Sequence, residues 1–285
     1  VDAVTELGAG TGLASSRLSD GSGPAGAGLQ TLLAGEPVDL VGFSFGGMTA
    51  GLLLAEHPAL ARRLKQPRDL GTLPWMDAAT KAQALVKVRK IVNKIGYPDQ
   101  WRDYGAVKVS RGSFLESLMG VESFEQARQL AKIGKPVDKA EWLMSPPTVN
   151  AYYNPAFNEI VFPAGILQPP FFSREATAPV NFGGMGMVVG HEITHGFDDE
   201  GRQYDAEGNL HDWWTEASDK AFRERVACVQ KQFDGYTVVD ELKVNGALTL
   251  GENIADLGGL TVAYDAYQRS LEKLVKHAHR LEPDT

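Results

Sequence analysis

The chain has 285 residues, 43% hydrophobic and 22% charged, a composition that supports a sizeable soluble core. Its formal net charge of −8 excludes a basic footprint for nucleic acid. A single cysteine, Cys228, rules out an internal disulfide and a cysteine-based zinc site, and reads as a buried structural thiol. No apolar run is long enough to span a bilayer, and Val1 opens neither a basic n-region nor an apolar h-region, so no signal peptide is read.

Residues 1–35 are rich in Gly, Ala and Ser. The loop Glu6-Leu7-Gly8-Ala9-Gly10-Thr11-Gly12 has the glycines of a nucleotide-type turn, but no βαβ unit follows it and a flexible linker is the simpler reading. Val38-Asp39-Leu40-Val41 then reads as a short buried strand and 48–64 as a helix. Between them stands Gly42-Phe43-Ser44-Phe45-Gly46, a G-x-S-x-G turn. That order, strand, tight turn, helix, suits a nucleophilic serine, with Ser44 attacking and the Phe45 N–H as one oxyanion donor. The acid and histidine that such a serine needs are not recognisable on later strands.

Near residue 70 the character changes, dividing the chain into a 1–70 segment and a 71–285 region. Residues 76–95 are charged and helix-periodic, with Asp77 as the N-cap, and Gly96-Tyr97-Pro98-Asp99 ends the run. A second helix is expected over 113–133, short strands over 149–153 and 159–162, and further helices over 185–197, 217–233 and 253–274.

The helix expected over 185–197 carries His191-Glu192-Ile193-Thr194-His195. Residues four apart share a helical face, so both imidazoles can point at one ion. Zinc suits two neutral imidazoles, a carboxylate and a water, and Glu192 lies where it can take that water's proton. Glu252, opening a helix downstream, is the best third ligand, and Asp256 four residues on can accept the free ring N–H of a histidine ligand. Taken singly, each group has a plain alternative: a solvated histidine face, or acids favoured by a helix N-terminus.

Residues 73–272 resemble the neprilysin-like family of zinc endopeptidases, which includes endothelin-converting enzymes and bacterial oligopeptidases. The resemblance rests on Trp75-Met76-Asp77, Ile95-Gly96-Tyr97-Pro98, Val149-Asn150-Ala151-Tyr152-Tyr153, the run from Ile160 to Phe172, His191 to Asp198, Asp212-Trp213-Trp214, and Leu250 to Asp256. It implies a mainly helical, thermolysin-like α+β fold and one zinc held by His191, His195 and Glu252. It further implies that Glu192 activates the water and then protonates the leaving amine, and that Asp256 orients His191. Asn150 and Ala151 would hold the peptide substrate by side-chain amide and backbone carbonyl. Phe171 and Phe172 read as core. The family's oxyanion-stabilising histidine and substrate-gripping arginine have no counterpart that its words identify here, and His277 and His279 lack those words. Relatives of this family are exported, membrane-anchored or cytoplasmic, and neither compartment nor oligomeric state is fixed by the sequence.

Residues 29–64 resemble an α/β-hydrolase fragment around Ser44. The chain therefore reads as a composite, a short hydrolase-like piece joined to an incomplete peptidase region. Its expected activity is zinc-dependent hydrolysis of short peptides. A serine esterase using Ser44, or a non-catalytic zinc-binding remnant, is the alternative.

Overall fold

The computed structural model describes the backbone of residues 73–281 and side chains to 272. The strand–turn–helix around Ser44 and the boundary near residue 70 lie outside the described residues.

Helix α1 (Ala78–Lys90) starts where Asp77, in extended conformation, accepts the N–H groups of Ala79 and Thr80. The helix expected over 76–95 stops early. At Ile91 the chain turns extended and enters strand β1 (Val92–Gly96). The β-branched Val92 and Ile95 suit a strand, and β1 gains a parallel partner far along the chain. Helix α2 (Phe114–Leu130), capped by Ser113, buries no residue. Ion pairs Arg102–Glu125 and Arg128–Glu141 tie it to its flanking loops.

Strands β2 (Tyr152–Asn154) and β3 (Glu159–Pro163) complete a three-stranded sheet in the order β1-β3-β2. β3 lies parallel to β1 and antiparallel to β2, with Ile95 opposite Phe162 and Tyr152 opposite Val161. Central β3 is buried along its length, and its Glu159 is answered by Lys94 at 2.7 Å. β2 is an edge strand.

A short helix α3 (Ala178–Asn181) and a π-helical turn (Phe182–Gly186) lead into α4 (Met187–His195). The helix expected over 185–197 is therefore present, entered through a wider turn. Met185 and Val189 join Ala151, Ile160, Phe162 and Ile166 in the main core, with Phe171 and Phe172 packed against it as expected. After a 3-10 turn (Gly201–Gln203), helix α5 (Glu216–Asp234) places Phe222 against Met76, Ala84 and Trp214 in a second core. A hairpin of β4 (Thr237–Val239) and β5 (Leu242–Lys243) precedes the long helix α6 (Leu250–Leu281), which packs along α4.

The expectation of a buried Cys228 is overturned: the thiol is exposed. On α5 the buried face holds Ser218 and Phe222, and a residue six positions beyond Phe222 points well away from it. Among the described residues, no helix is long and apolar enough to cross a membrane.

Candidate metal centre

Helix α4 presents both histidines to α6. The two helices come close because glycines meet at their crossing. A Cβ on Gly259 would stand 2.6 Å from the His191 nitrogen, and one on Gly190 would stand 2.7 Å from the Gly259 oxygen. That proximity brings the first turns of α6, with Glu252 and Asp256, to the imidazoles.

His191 Nδ1 lies 2.9 Å from Asp256 Oδ1, and His195 Nδ1 lies 2.7 Å from Asp198 Oδ2. A carboxylate only accepts, so each Nδ1 donates its proton, which leaves each Nε2 as the ring atom that can offer a lone pair to a metal. Those two lone-pair nitrogens face each other at 2.9 Å. Glu252 Oε2 lies 3.3 Å from His191 Nε2 and 3.6 Å from His195 Nε2. Three possible ligand atoms thus converge on one point, the arrangement a bound cation needs. Tetrahedral zinc with bonds near 2.05 Å separates its ligands by about 3.3 Å, so the donor set fits this ion. His191, His195 and Glu252 form the one such metal-capable group among the described residues.

The surroundings tune these groups. Burial pulls the basicity of His195 down, but Asp198, through its hydrogen bond and its charge, more than restores it, with Glu192 and Glu252 adding to the rise. Glu192 is buried on α4. Burial pushes its carboxyl up to about 7, reinforced by Glu252 and opposed by His195 and by the N–H of Tyr153.

The centre opens into a cleft of about 440 Å³ whose lining includes Asn150, Ala151, Tyr153, Glu192 and Glu200. Each site residue expected from the 71–285 region therefore sits at one place, with Asp256 behind His191. Asn150 is exposed, and its Oδ1 accepts the Ala151 N–H at 2.9 Å. Ser44 lies outside the described residues. Asp198 is the functional residue that sequence reasoning left without a role. Its signal was present as the last letter of His195-Gly196-Phe197-Asp198, but its reach back to His195 depends on α4 ending there.

An H-E-x-x-H helix whose histidines face a downstream glutamate, with a buried glutamate beside them, defines the zinc peptidase class of site. More narrowly, residues 150–284 match the model of peptidase family M13. It is 43% identical over 243 residues to an endothelin-converting enzyme homolog of Locusta migratoria, covering 80% of this chain and 33% of that protein. It is 47% identical over 215 residues to endothelin-converting enzyme 1 of Bos taurus, covering 72% of this chain and 28% of that protein. Among solved structures it resembles the Mycobacterium tuberculosis zinc metalloprotease Zmp1 in complex with an inhibitor. That match has a TM-score of 0.69 and 41% identity, over 80% of this chain and 38% of the other. The chain thus spans about a third or less of the curated relatives it matches.

Proposed function

We propose that this chain carries the zinc-binding and water-activating part of an endopeptidase acting on short peptides. One observation carries the reading: the three acceptors of His191, His195 and Glu252 converge within 2.9–3.6 Å while both Nδ1 atoms are tied to carboxylates. When bound, one zinc per chain would lower the pKa of its water and polarise the scissile carbonyl.

The chain's own residues supply the remainder. Glu192, buried and beside the ligands, accepts the proton of the attacking water and returns it to the leaving amine. Asp256 and Asp198 hold the two rings in the tautomer that offers Nε2 to the metal. β2 pairs with β3 on one side, so a peptide laid along its other edge extends the sheet. Asn150 and Ala151, just before β2, then fix the register of that peptide by amide and carbonyl. The match of residues 150–284 to the M13 family model and the likeness to endothelin-converting enzymes support this assignment.

The test is Glu192→Gln. The variant should hold about one zinc per chain while hydrolysis of a quenched fluorescent peptide falls by at least about a hundredfold, as expected for loss of a general base. Undiminished cleavage refutes the role of Glu192. Zinc uptake without cleavage in the wild type would instead mean a binding remnant. Cleavage of esters that survives chelation would point to Ser44.

A further inference from the structure

We propose that Lys87 is a positioning residue for the metal centre: its buried ammonium locks the Gly196–Tyr204 segment and, through it, the Asp198 carboxylate that orients His195. The inference rests on the zinc reading above and extends it to a residue on α1, a helix that supplies none of the three candidate ligands.

Lys87 projects from α1 and is 1% exposed, an unusual place for a lysine. Its Nζ donates to the carbonyl oxygens of Gly196, Gly201 and Tyr204, each at 2.7 Å. All three donor sites of the ammonium are thereby used. The rings of Tyr153, Phe197 and Trp213 surround it at 5.5–5.9 Å. Burial pushes the amine down to about 8, with Asp198 and Asp205 holding it up, so it stays charged at neutral pH.

The three carbonyls bracket the turn that carries Asp198. Gly196 is the C-cap of α4, directly after His195. Gly201 is held from two sides: its carbonyl accepts a hydrogen bond from the Lys87 ammonium, and its N–H donates to Asp198 Oδ1 at 2.7 Å. The Glu200 N–H reaches the same oxygen at 2.9 Å, leaving Oδ2 for His195 at 2.7 Å. Gly201 also packs on the last residue of α4, where a Cβ would fall 1.7 Å from the His195 carbonyl oxygen. The ammonium therefore fixes both ends of a turn whose middle grips the imidazole. The Lys87 main chain serves the other wall of the cleft as well. Its carbonyl accepts Asn158 Nδ2 at 3.0 Å, and Asn158 Oδ1 accepts the Tyr153 hydroxyl at 2.9 Å.

The test is zinc affinity, measured by competition with a chromophoric chelator well below the melting transition. Wild type, Lys87→Met, Lys87→Gln, Asp198→Asn and the double substitution Lys87→Met/Asp198→Asn are compared. Methionine keeps the apolar stem among the three rings and removes the charge. Glutamine keeps N–H donors and serves as the second variant if methionine prevents folding. Each single substitution should weaken zinc binding about tenfold, the lower end for groups that hold a ligand in place. The double should bind no more weakly than Asp198→Asn alone, because Lys87 acts through that carboxylate. Unchanged affinity in a folded Lys87 variant overturns the proposal, and so does a double whose loss is the product of the two single losses. A wild type that takes up no zinc overturns the zinc reading itself and this inference with it.

Discussion

Asp77 illustrates how much a single side chain can carry and how little of that its own neighbours reveal. Its role as the N-cap of α1 was legible in the sequence, because capping is a local matter of an acid before a helical run. Its partners on α5 were not. The Ser218 and Thr215 hydroxyls, 141 and 138 residues away, both donate to its Oδ2, so one carboxylate pins the starts of two helices. The Ser218 hydrogen bond first, then those of Thr215 and the Thr80 N–H, hold this carboxyl well below the usual aspartate range. A group whose folded pKa lies below its unfolded value, about 3.9 for aspartate, stabilises fully above that value and loses the contribution as pH falls. Asp77→Asn keeps an acceptor and removes the charge. Its melting temperature should lie below that of the wild type at pH 7, and the gap should close as pH is lowered from about 5 towards 2. A gap that stays constant over that range would show that the charge is not what Asp77 contributes. The two histidines of the candidate metal centre show the same division. Their pairing was readable because four residues of one helix fix it, while the Asp198 contact depends on the turn that follows.

At the scale of elements, the crossing of α4 and α6 decides whether a site exists. Gly190, Gly258 and Gly259 meet there, and a Cβ on Gly259 would stand 2.6 Å from the His191 nitrogen and 2.8 Å from the Met187 oxygen. Backbone atoms cannot step aside as a flexible side chain can. Gly259→Ala should therefore force the helices apart at a cost of about 1–3 kcal/mol, the usual range for overpacking. It should also weaken zinc binding, since Glu252 and Asp256 ride on the displaced helix. Gly183→Ala, whose Cβ would meet nothing within 4 Å, is the matched control and should bind zinc as the wild type does. Denaturant unfolding and chelator competition measure the two effects, and a Gly259→Ala protein with wild-type stability would refute the account. Helices α2, α4 and α5 were readable from periodicity to within about three residues, whereas α1 ends earlier and α6 runs longer than expected, and the short α3 was not foreseen. β1 was not, because Val92-Asn93-Lys94-Ile95 continues a charged helical pattern and becomes a strand only by pairing with the distant β3, Val92 opposite Glu159. The β4–β5 hairpin, short and exposed, carried no alternation to announce it.

For the described molecule as a whole, a mainly helical α+β fold was legible, whereas the sheet order β1-β3-β2 was set by contacts between distant segments. The metal centre is likewise a long-range feature: His191 and its partner Asp256 are 65 residues apart in sequence. An ion bound there joins α4 to α6, adding a link at the crossing that the glycines make close. Binding to the folded state alone stabilises by RT ln(1 + [L]/Kd), about 2.7 kcal/mol at a hundredfold excess over Kd. For a folded unit of this size that corresponds to a rise in melting temperature of roughly 5–10 °C. Chelator-treated protein should therefore melt lower by that margin and recover on adding zinc, while His191→Ala should melt at one temperature with or without metal. Calorimetry with and without zinc separates this from any effect on catalysis, because Glu192→Gln, which leaves the three ligands in place, should keep the full shift. A wild-type melting temperature indifferent to zinc would mean that α4 and α6 hold their crossing unaided and that the convergent acceptors are not bridged by the ion.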